Sequence, residues 1–309
     1  MPNDSTTTNT ITQATVAPDR GLSVASRDNS VVVRGIQVGI VIALLVLAFW
    51  PILRGICESW FDENAYMEHG ILVVPAASYI AWTKRDKLLQ VRCEPSVWGL
   101  AFVLGGAAVA IVGVLGQWVW ASRMSFLLSL AGCIAVFYGF RMVKALAYPI
   151  GTLVLMIAPP SFVYDRLTLS LQLLASRIGE AALDSIGYSV MREGNVLELV
   201  GIKLSVEQAC SGLRSLLSLL FMCVLYNYFF VREKYMRLLI LALAVPIAIL
   251  GNAGRIVATG IASQYSPALV RGASHEGFGY ISIVVAAIGC IAVHVGTTYI
   301  HNIWRARDV

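Results

Sequence analysis

The stretch "GIKLSVEQACSGLRSLLSLLFMCVLY", from Gly201 to Tyr226, decides the fold class of this chain. Its second half is an apolar run of the kind that crosses the hydrocarbon core of a bilayer, about 30 Å thick, for which about 20 residues are needed. The run nevertheless begins beside a thiol, Cys210, and a guanidinium, Arg214. A charge in hydrocarbon costs roughly 2.5–3.5 kcal/mol on insertion scales. The stretch therefore predicts a membrane helix whose end carries polar chemistry.

The composition of the whole chain supports the same class. Hydrophobic residues make up 58% and charged residues 13%, whereas soluble domains carry about 25% charged residues. This excludes an ordinary soluble domain. The net charge of +5 indicates membrane topology rather than nucleic-acid binding, because the basic residues cluster in short loops.

We predict an all-α polytopic membrane protein with about eight transmembrane helices. Its expected spans are 36–53, 69–83, 97–116, 122–140, 145–160, 209–230, 238–262 and 278–300. The loops on the N-terminal side, with the two tails, hold 14 Lys/Arg against 7 Asp/Glu. By the positive-inside rule both termini are expected in the cytoplasm.

The spans define the expected domain organisation. Residues 1–33 are rich in Ser, Thr and Asn and are expected to form a disordered cytoplasmic tail. Residues 34–304 form a single integral-membrane domain, and 305–309 a short cytoplasmic tail.

The long extracytoplasmic segment before the sixth span is also patterned. Apolar residues at helical intervals in Asp165–Gly187 predict a helix lying along the membrane interface. Gly194-Asn195 separates two short alternating segments, which predicts a small β-hairpin that leads into the sixth span.

Polar residues from three spans are expected at one depth. Helical spacing places Arg214 on the same side as Cys210, one turn deeper. In the seventh span Asn252 and Arg255 are three residues apart and face one way, and His275 precedes the eighth span.

Each of these residues also has an ordinary interpretation. A lone cysteine in an apolar helix is usually a small hydrophobic residue, an arginine near a span end can reach the headgroups, and a histidine in a glycine-rich loop is usually a surface residue. Arg255 is the exception, because it lies four or five residues deeper than that reach allows.

Together the three residue types favour acyl transfer through a thioester. A helix N-terminus and a nearby arginine lower the pKa of a thiol. A guanidinium stabilises a thiolate or an oxyanion, and a histidine carries the proton to the leaving amine. No metal or cofactor is expected, since the four histidines (His69, His275, His294 and His301) show no metal-binding spacing.

Three motifs resemble those of the exosortase/archaeosortase family of membrane transpeptidases. They are "ACSGLRSL" (Ala209 to Leu216), "NAGRI" (Asn252 to Ile256) and "HEGFGY" (His275 to Tyr280). The segments "HGILVVPAASYIAWTKR" (His69 to Arg85) and "APPSFVYDRLTLSLQLLASRIGEAALDSIG" (Ala158 to Gly187) are similar too, and the resemblance covers roughly residues 40 to 300.

The resemblance implies an enzyme of the bacterial inner membrane that acts on its periplasmic face. Its substrates would be exported proteins with a C-terminal sorting signal: a short Pro-Glu-Pro-type motif, a transmembrane helix and a basic tail. It implies Cys210 as the nucleophile, Arg255 as the thiolate or oxyanion stabiliser and His275 as the proton carrier. The new carboxyl end would pass to a lipid-linked or cell-surface acceptor.

Arg214 is expected to support catalysis or to bind an acidic substrate residue. Further supporting candidates are Asn252, Ser211, Glu207 and His69. The alternative for Glu207 is that it faces solvent, and the alternative for His69 is that it is an ordinary interfacial histidine. Two other functions remain open: a simple membrane protease in which water accepts the acyl group, and a transporter or polysaccharide-assembly component whose arginines line an anion path.

Overall fold

The computed structural model describes residues 36–62, 65, 67–199, 202–205, 212–265 and 273–307. The chain divides into two compact units, Met1–Ala48 and Phe49–Val309. In the first unit the structure describes the helix α1 (Ile36–Ala48).

The described part of the second unit is mostly helical. Its helices are α2 (Trp50–Phe61), α3 (Gly70–Thr83), α4 (Arg85–Leu89), α5 (Trp98–Leu115), α6 (Val119–Tyr138), α7 (Phe140–Ala145), α8 (Ala147–Leu153), α9 (Ser161–Ser185), α10 (Leu213–Phe230), α11 (Lys234–Tyr265) and α12 (Ala273–Arg307). A short 3₁₀ turn, Val154–Met156, follows α8. The predicted all-α polytopic class is confirmed.

The number of spans depends on how broken helices are counted. Among the described residues, five helices (α5, α6, α10, α11 and α12) are long and apolar enough to cross a bilayer. The number rises to seven if two consecutive pairs, α1 with α2 and α8 with α9, each count as one span. The predicted span at 69–83 corresponds to α3, which is apolar but has only 14 residues. Eight spans therefore remain a prediction.

Helices α10, α11 and α12 pack around a common apolar core. Leu213, Leu219, Ile240, Ala244 and Cys290 belong to it, and each is at most 4% exposed. This core holds together the two helices whose N-terminal ends adjoin the Cys210 and His275 motifs.

The predicted helix before the sixth span is confirmed as α9, but its buried face is partly polar. Thr168, Gln172 and Ser176 are at most 7% exposed, whereas Leu169 and Phe162 are 56% and 67% exposed. The helix thus turns its polar stripe towards the protein, and its exposed leucines suit lipid contact.

A small antiparallel sheet follows α9, with strand order β1-β2-β3. The predicted hairpin is confirmed as β1 (Val190–Glu193) and β2 (Val196–Leu199), joined through Gly194, whose positive φ of 64° suits a tight hairpin turn. The sequence analysis missed the third strand, β3 (Ile202–Ser205), which pairs with β2 and leads towards α10.

Candidate active site

Arg255 lies in α11, and its guanidinium packs against the backbone of α12. A Cβ built on Gly279 would lie 3.3 Å from Arg255 Cζ, 3.4 Å from Nη1 and 3.5 Å from Nη2. Three nearly equal distances mean that the flat face of the guanidinium is turned towards Gly279. At 3.6 residues per turn, Gly279 lies about one turn after His275. Arg255 therefore contacts α12 close to the backbone position of the candidate proton carrier.

Asn252, one turn before Arg255, packs against the N-cap residue of α10, Gly212. It is 1% exposed, and a Cβ on Gly212 would lie only 2.9 Å from its Cγ. Gly212 is the N-cap of α10 with φ +82°, a conformation that glycine adopts without steric cost. Its carbonyl accepts a hydrogen bond from the amide of Leu216 at 2.9 Å. The start of α10 is thereby fixed against α11, two residues after the candidate nucleophile.

The start of α10 corrects one step of the sequence reasoning. The sixth span was expected from residue 209, with Cys210 and Arg214 in helical register. The helix begins at Leu213, and Gly212 before it has left-handed backbone geometry. Helical spacing therefore does not relate residue 210 to Arg214, and the closeness of the two side chains stays a prediction.

Arg214 forms an ion pair that the sequence analysis did not anticipate. Its Nη2 atom lies 3.1 Å from Oε1 of Glu68, and the two side chains are 28% and 44% exposed. Glu68 belongs to the turn before α3, far from α10 in sequence. The pair joins the early His-Gly segment to the first turn of the helix that follows Cys210.

His69 lies in the same turn and is 7% exposed. Its Nε2 lies 3.2 Å from the carbonyl oxygen of Leu155, so Nε2 carries the proton in that bond. Its Nδ1 is buried and has no hydrogen-bond partner in the part of the chain that the structure describes. Its ring lies 6.1 Å from that of Phe221 on α10, centroid to centroid. His69 is therefore a buried residue beside α10, and its part in the site stays a prediction.

The helix α9 and the sheet pack on α11 beside Arg255. Leu183, Leu197 and Leu199 form a buried cluster with Ile256, the next residue after Arg255. The packing of this layer of α9 and sheet on Ile256 therefore holds α11 in place next to Arg255.

The edge of this layer carries a perturbed tyrosine. Partial burial raises the pKa of Tyr188, which precedes β1, and its interaction and hydrogen bond with Tyr265 at the end of α11 raise that pKa further. The pKa of the Tyr188 phenol thus reflects its position beside Tyr265, where the layer meets the end of α11.

A narrow crevice opens beside Asn252 between α9, α10 and α11 and has room for about one water molecule. Its lining is apolar apart from the asparagine amide and consists of Leu171, Ala175, Gly212, Leu216, Ala248, Ile249 and Asn252. The Asn252 amide therefore faces a small, mostly apolar gap between the three helices.

Some candidate residues fall outside the description. Cys210, Ser211 and Glu207 lie between β3 and α10 and are not among the described residues. His275 belongs to α12 by its backbone, but its side chain is not described. Their roles stay predictions. Among the residues that the structure describes, no three His, Cys, Asp or Glu side chains form a group that could hold a metal ion.

Sequence reasoning missed three residues at this site: Glu68, Gly212 and Gly279. The two glycines lie inside the quoted motifs. A glycine close in sequence to a candidate catalytic residue can indicate a close contact with the backbone, and this signal could have pointed to both. Glu68 immediately precedes His69, but nothing in the sequence indicates its pairing with Arg214.

The fold and these contacts define a polytopic membrane protein with a polar site where α10, α11 and α12 meet. The family model "Transmembrane exosortase (Exosortase_EpsH)" matches residues 60–292. The chain therefore belongs to the transmembrane exosortase family. No curated protein and no solved structure matches it.

Proposed function

We propose that this chain is a cysteine transpeptidase of the bacterial inner membrane, with both termini in the cytoplasm and its active site on the periplasmic face. One observation carries the proposal. Two residues one turn apart on α11 contact both flanking motifs: Asn252 packs on Gly212, and Arg255 packs on Gly279. Residues of the three motifs that are far apart in sequence thus meet around one helix.

The proposed roles follow from this arrangement. Cys210 attacks as a thiolate at the scissile carbonyl, and Arg255 stabilises first the thiolate and then the oxyanion of the tetrahedral intermediate. His275 gives a proton to the departing amine as the C–N bond breaks, which leaves a thioester on Cys210. Attack by an acceptor nucleophile then breaks the C–S bond, and the thiol is restored.

The substrates in this proposal are exported proteins with a C-terminal sorting signal: a short motif, a transmembrane helix and a basic tail. The signal's helix would dock in the lipid beside the enzyme and hold the motif just outside the bilayer. The acceptor is a lipid-linked or cell-surface nucleophile.

The test is the processing of sorting-signal proteins in cells that carry variants of this chain. Cys210→Ser and Cys210→Ala should insert normally and leave the signal uncleaved. Cys57→Ser is the matched control, because Cys57 is an exposed thiol on α2 that has no role in the mechanism. Normal processing in either Cys210 variant would overturn the proposal.

A second measurement separates transfer from hydrolysis. The mass of the processed protein should exceed that of its cleaved polypeptide by the mass of the acceptor group. A product that ends in a bare carboxylate would identify the chain as a membrane protease instead.

A further inference from the structure

The turn before α3 holds Glu68 at a fixed place. Met67 is 1% and His69 7% exposed, and the amide of Gly70 donates a hydrogen bond to the carbonyl of Met67 at 2.8 Å. The Trp60 indole covers Gly70 so closely that a Cβ there would overlap it. With both neighbours buried, the Glu68 side chain is directed out of this core.

The turn contacts α10 at two levels. His69 packs near Phe221, and Glu68 reaches Arg214, seven residues or about two turns closer to the helix start. The buried contact between His69 and Phe221 already holds the turn against α10. The ion pair is therefore not needed to keep the two in place. Partly exposed pairs of this kind contribute little to stability, and replacement of Glu68 should leave the fold intact.

The ion pair is open to exchange. Nη2 of Arg214 contacts one carboxylate oxygen of Glu68 at 3.1 Å, and both side chains retain solvent access. A guanidinium binds any carboxylate by the same charge-assisted geometry. An anionic group that enters the site would compete with Glu68 for Arg214.

We propose that Glu68 is a specificity-determining residue: as a counter-ion of Arg214, it modulates how strongly the site attracts anionic groups. The inference rests on the proposed function in one respect, which is that Cys210 lies near Arg214. Glu68 itself acts through Arg214 and takes no part in bond making or breaking.

The test compares the reaction of Cys210 with two thiol reagents of opposite charge. In a chain with Cys57→Ser and Cys93→Ser, which removes the exposed thiols of the described part, Cys210 is titrated in intact cells. The reagents are an anionic sulfonatoethyl and a cationic trimethylammonioethyl methanethiosulfonate. The ratio of the two rates reports the local charge and not the fold.

Glu68→Gln should raise the anion-to-cation rate ratio about two- to fourfold at low ionic strength, because the loss of one negative charge favours the anionic reagent and disfavours the cationic one. Arg214→Gln should lower it by a similar factor, the double variant should return close to the parent, and Glu68→Asp should change it little. Glu58→Gln is the matched control. It removes the same charge from a carboxylate that pairs with Arg54 at 2.7 Å and should leave the ratio unchanged.

The outcomes separate this inference from the proposed function. An unchanged ratio in Glu68→Gln, together with a lowered ratio in Arg214→Gln, would overturn the role of Glu68 and leave the site geometry standing. An unchanged ratio in both Glu68→Gln and Arg214→Gln would mean that Cys210 is remote from Arg214. That result would overturn the inference, because the inference requires Cys210 to lie near Arg214. Loss of processing in Cys210→Ser would still support the proposed function in either case.

Discussion

Replacement of Gly212 by alanine tests whether α11 fixes the start of α10. Gly212 has φ +82°, and its added Cβ would lie 2.9 Å from Asn252 Cγ and 3.0 Å from Nδ2. The left-handed conformation costs an L-residue about 1–2 kcal/mol. Because Asn252 is 1% exposed and has little room to move, the overlap should add about 1–3 kcal/mol, as overpacking does elsewhere. We expect Gly212→Ala to lose about 2–5 kcal/mol of the free energy of unfolding.

Gly194→Ala is the matched control for this substitution. Gly194 also has a positive φ, +64°, but among the described residues no atom lies within 4 Å of its added Cβ. It should lose about 1–2 kcal/mol through the backbone alone. Denaturant unfolding in detergent, followed by tryptophan fluorescence, measures the difference. Equal losses in the two variants would refute the claim that Gly212 and Asn252 are in tight contact.

Two further substitutions test the surroundings of Arg255. Gly279→Val should push the Arg255 guanidinium away from α12 and reduce substrate processing. Gly277→Val, whose added Cβ would meet no atom of the described side chains within 4 Å, should process normally; equal processing in the two variants would contradict the packing. Leu197 is 0% exposed, so Leu197→Ala should lower the free energy of unfolding by about 2–5 kcal/mol. Met191 is 59% exposed, so Met191→Ala should change it by no more than about 0.5 kcal/mol. Similar losses in detergent would show that the sheet does not dock on α11.

Much of the fold could be predicted from local pattern. Long apolar runs specify membrane helices because the bilayer leaves backbone polar groups no partner outside the helix. The Gly194-Asn195 turn specified a hairpin by its backbone chemistry. The strand β3, Ile202–Ser205, was missed because four residues are too few to show a strand periodicity. What identifies it as a strand is its pairing with β2, which a local sequence pattern does not reveal.

The site was less predictable than the fold. The sequence pointed to Arg255 because a guanidinium deep in an apolar run is costly, and to Asn252 because it shares the same helix face. The ion pair between Glu68 and Arg214 joins segments that are distant in the chain, and no local pattern encodes such a contact. Gly212 shows the opposite limit: the sequence analysis extended helical spacing to residues before Gly212, whose left-handed backbone precedes the first residue of α10.

The ionisation of Cys210 tests the central claim most directly. In the chain that carries Cys57→Ser and Cys93→Ser, intact cells are labelled with a membrane-impermeant thiol reagent across a range of pH. We expect labelling of Cys210 to persist well below the ordinary thiol pKa of about 8.5. Arg255→Ala should shift this profile to higher pH, because the thiolate loses a stabilising positive charge. A thiol that titrates normally with or without Arg255 would contradict the account and make Cys210 a structural residue.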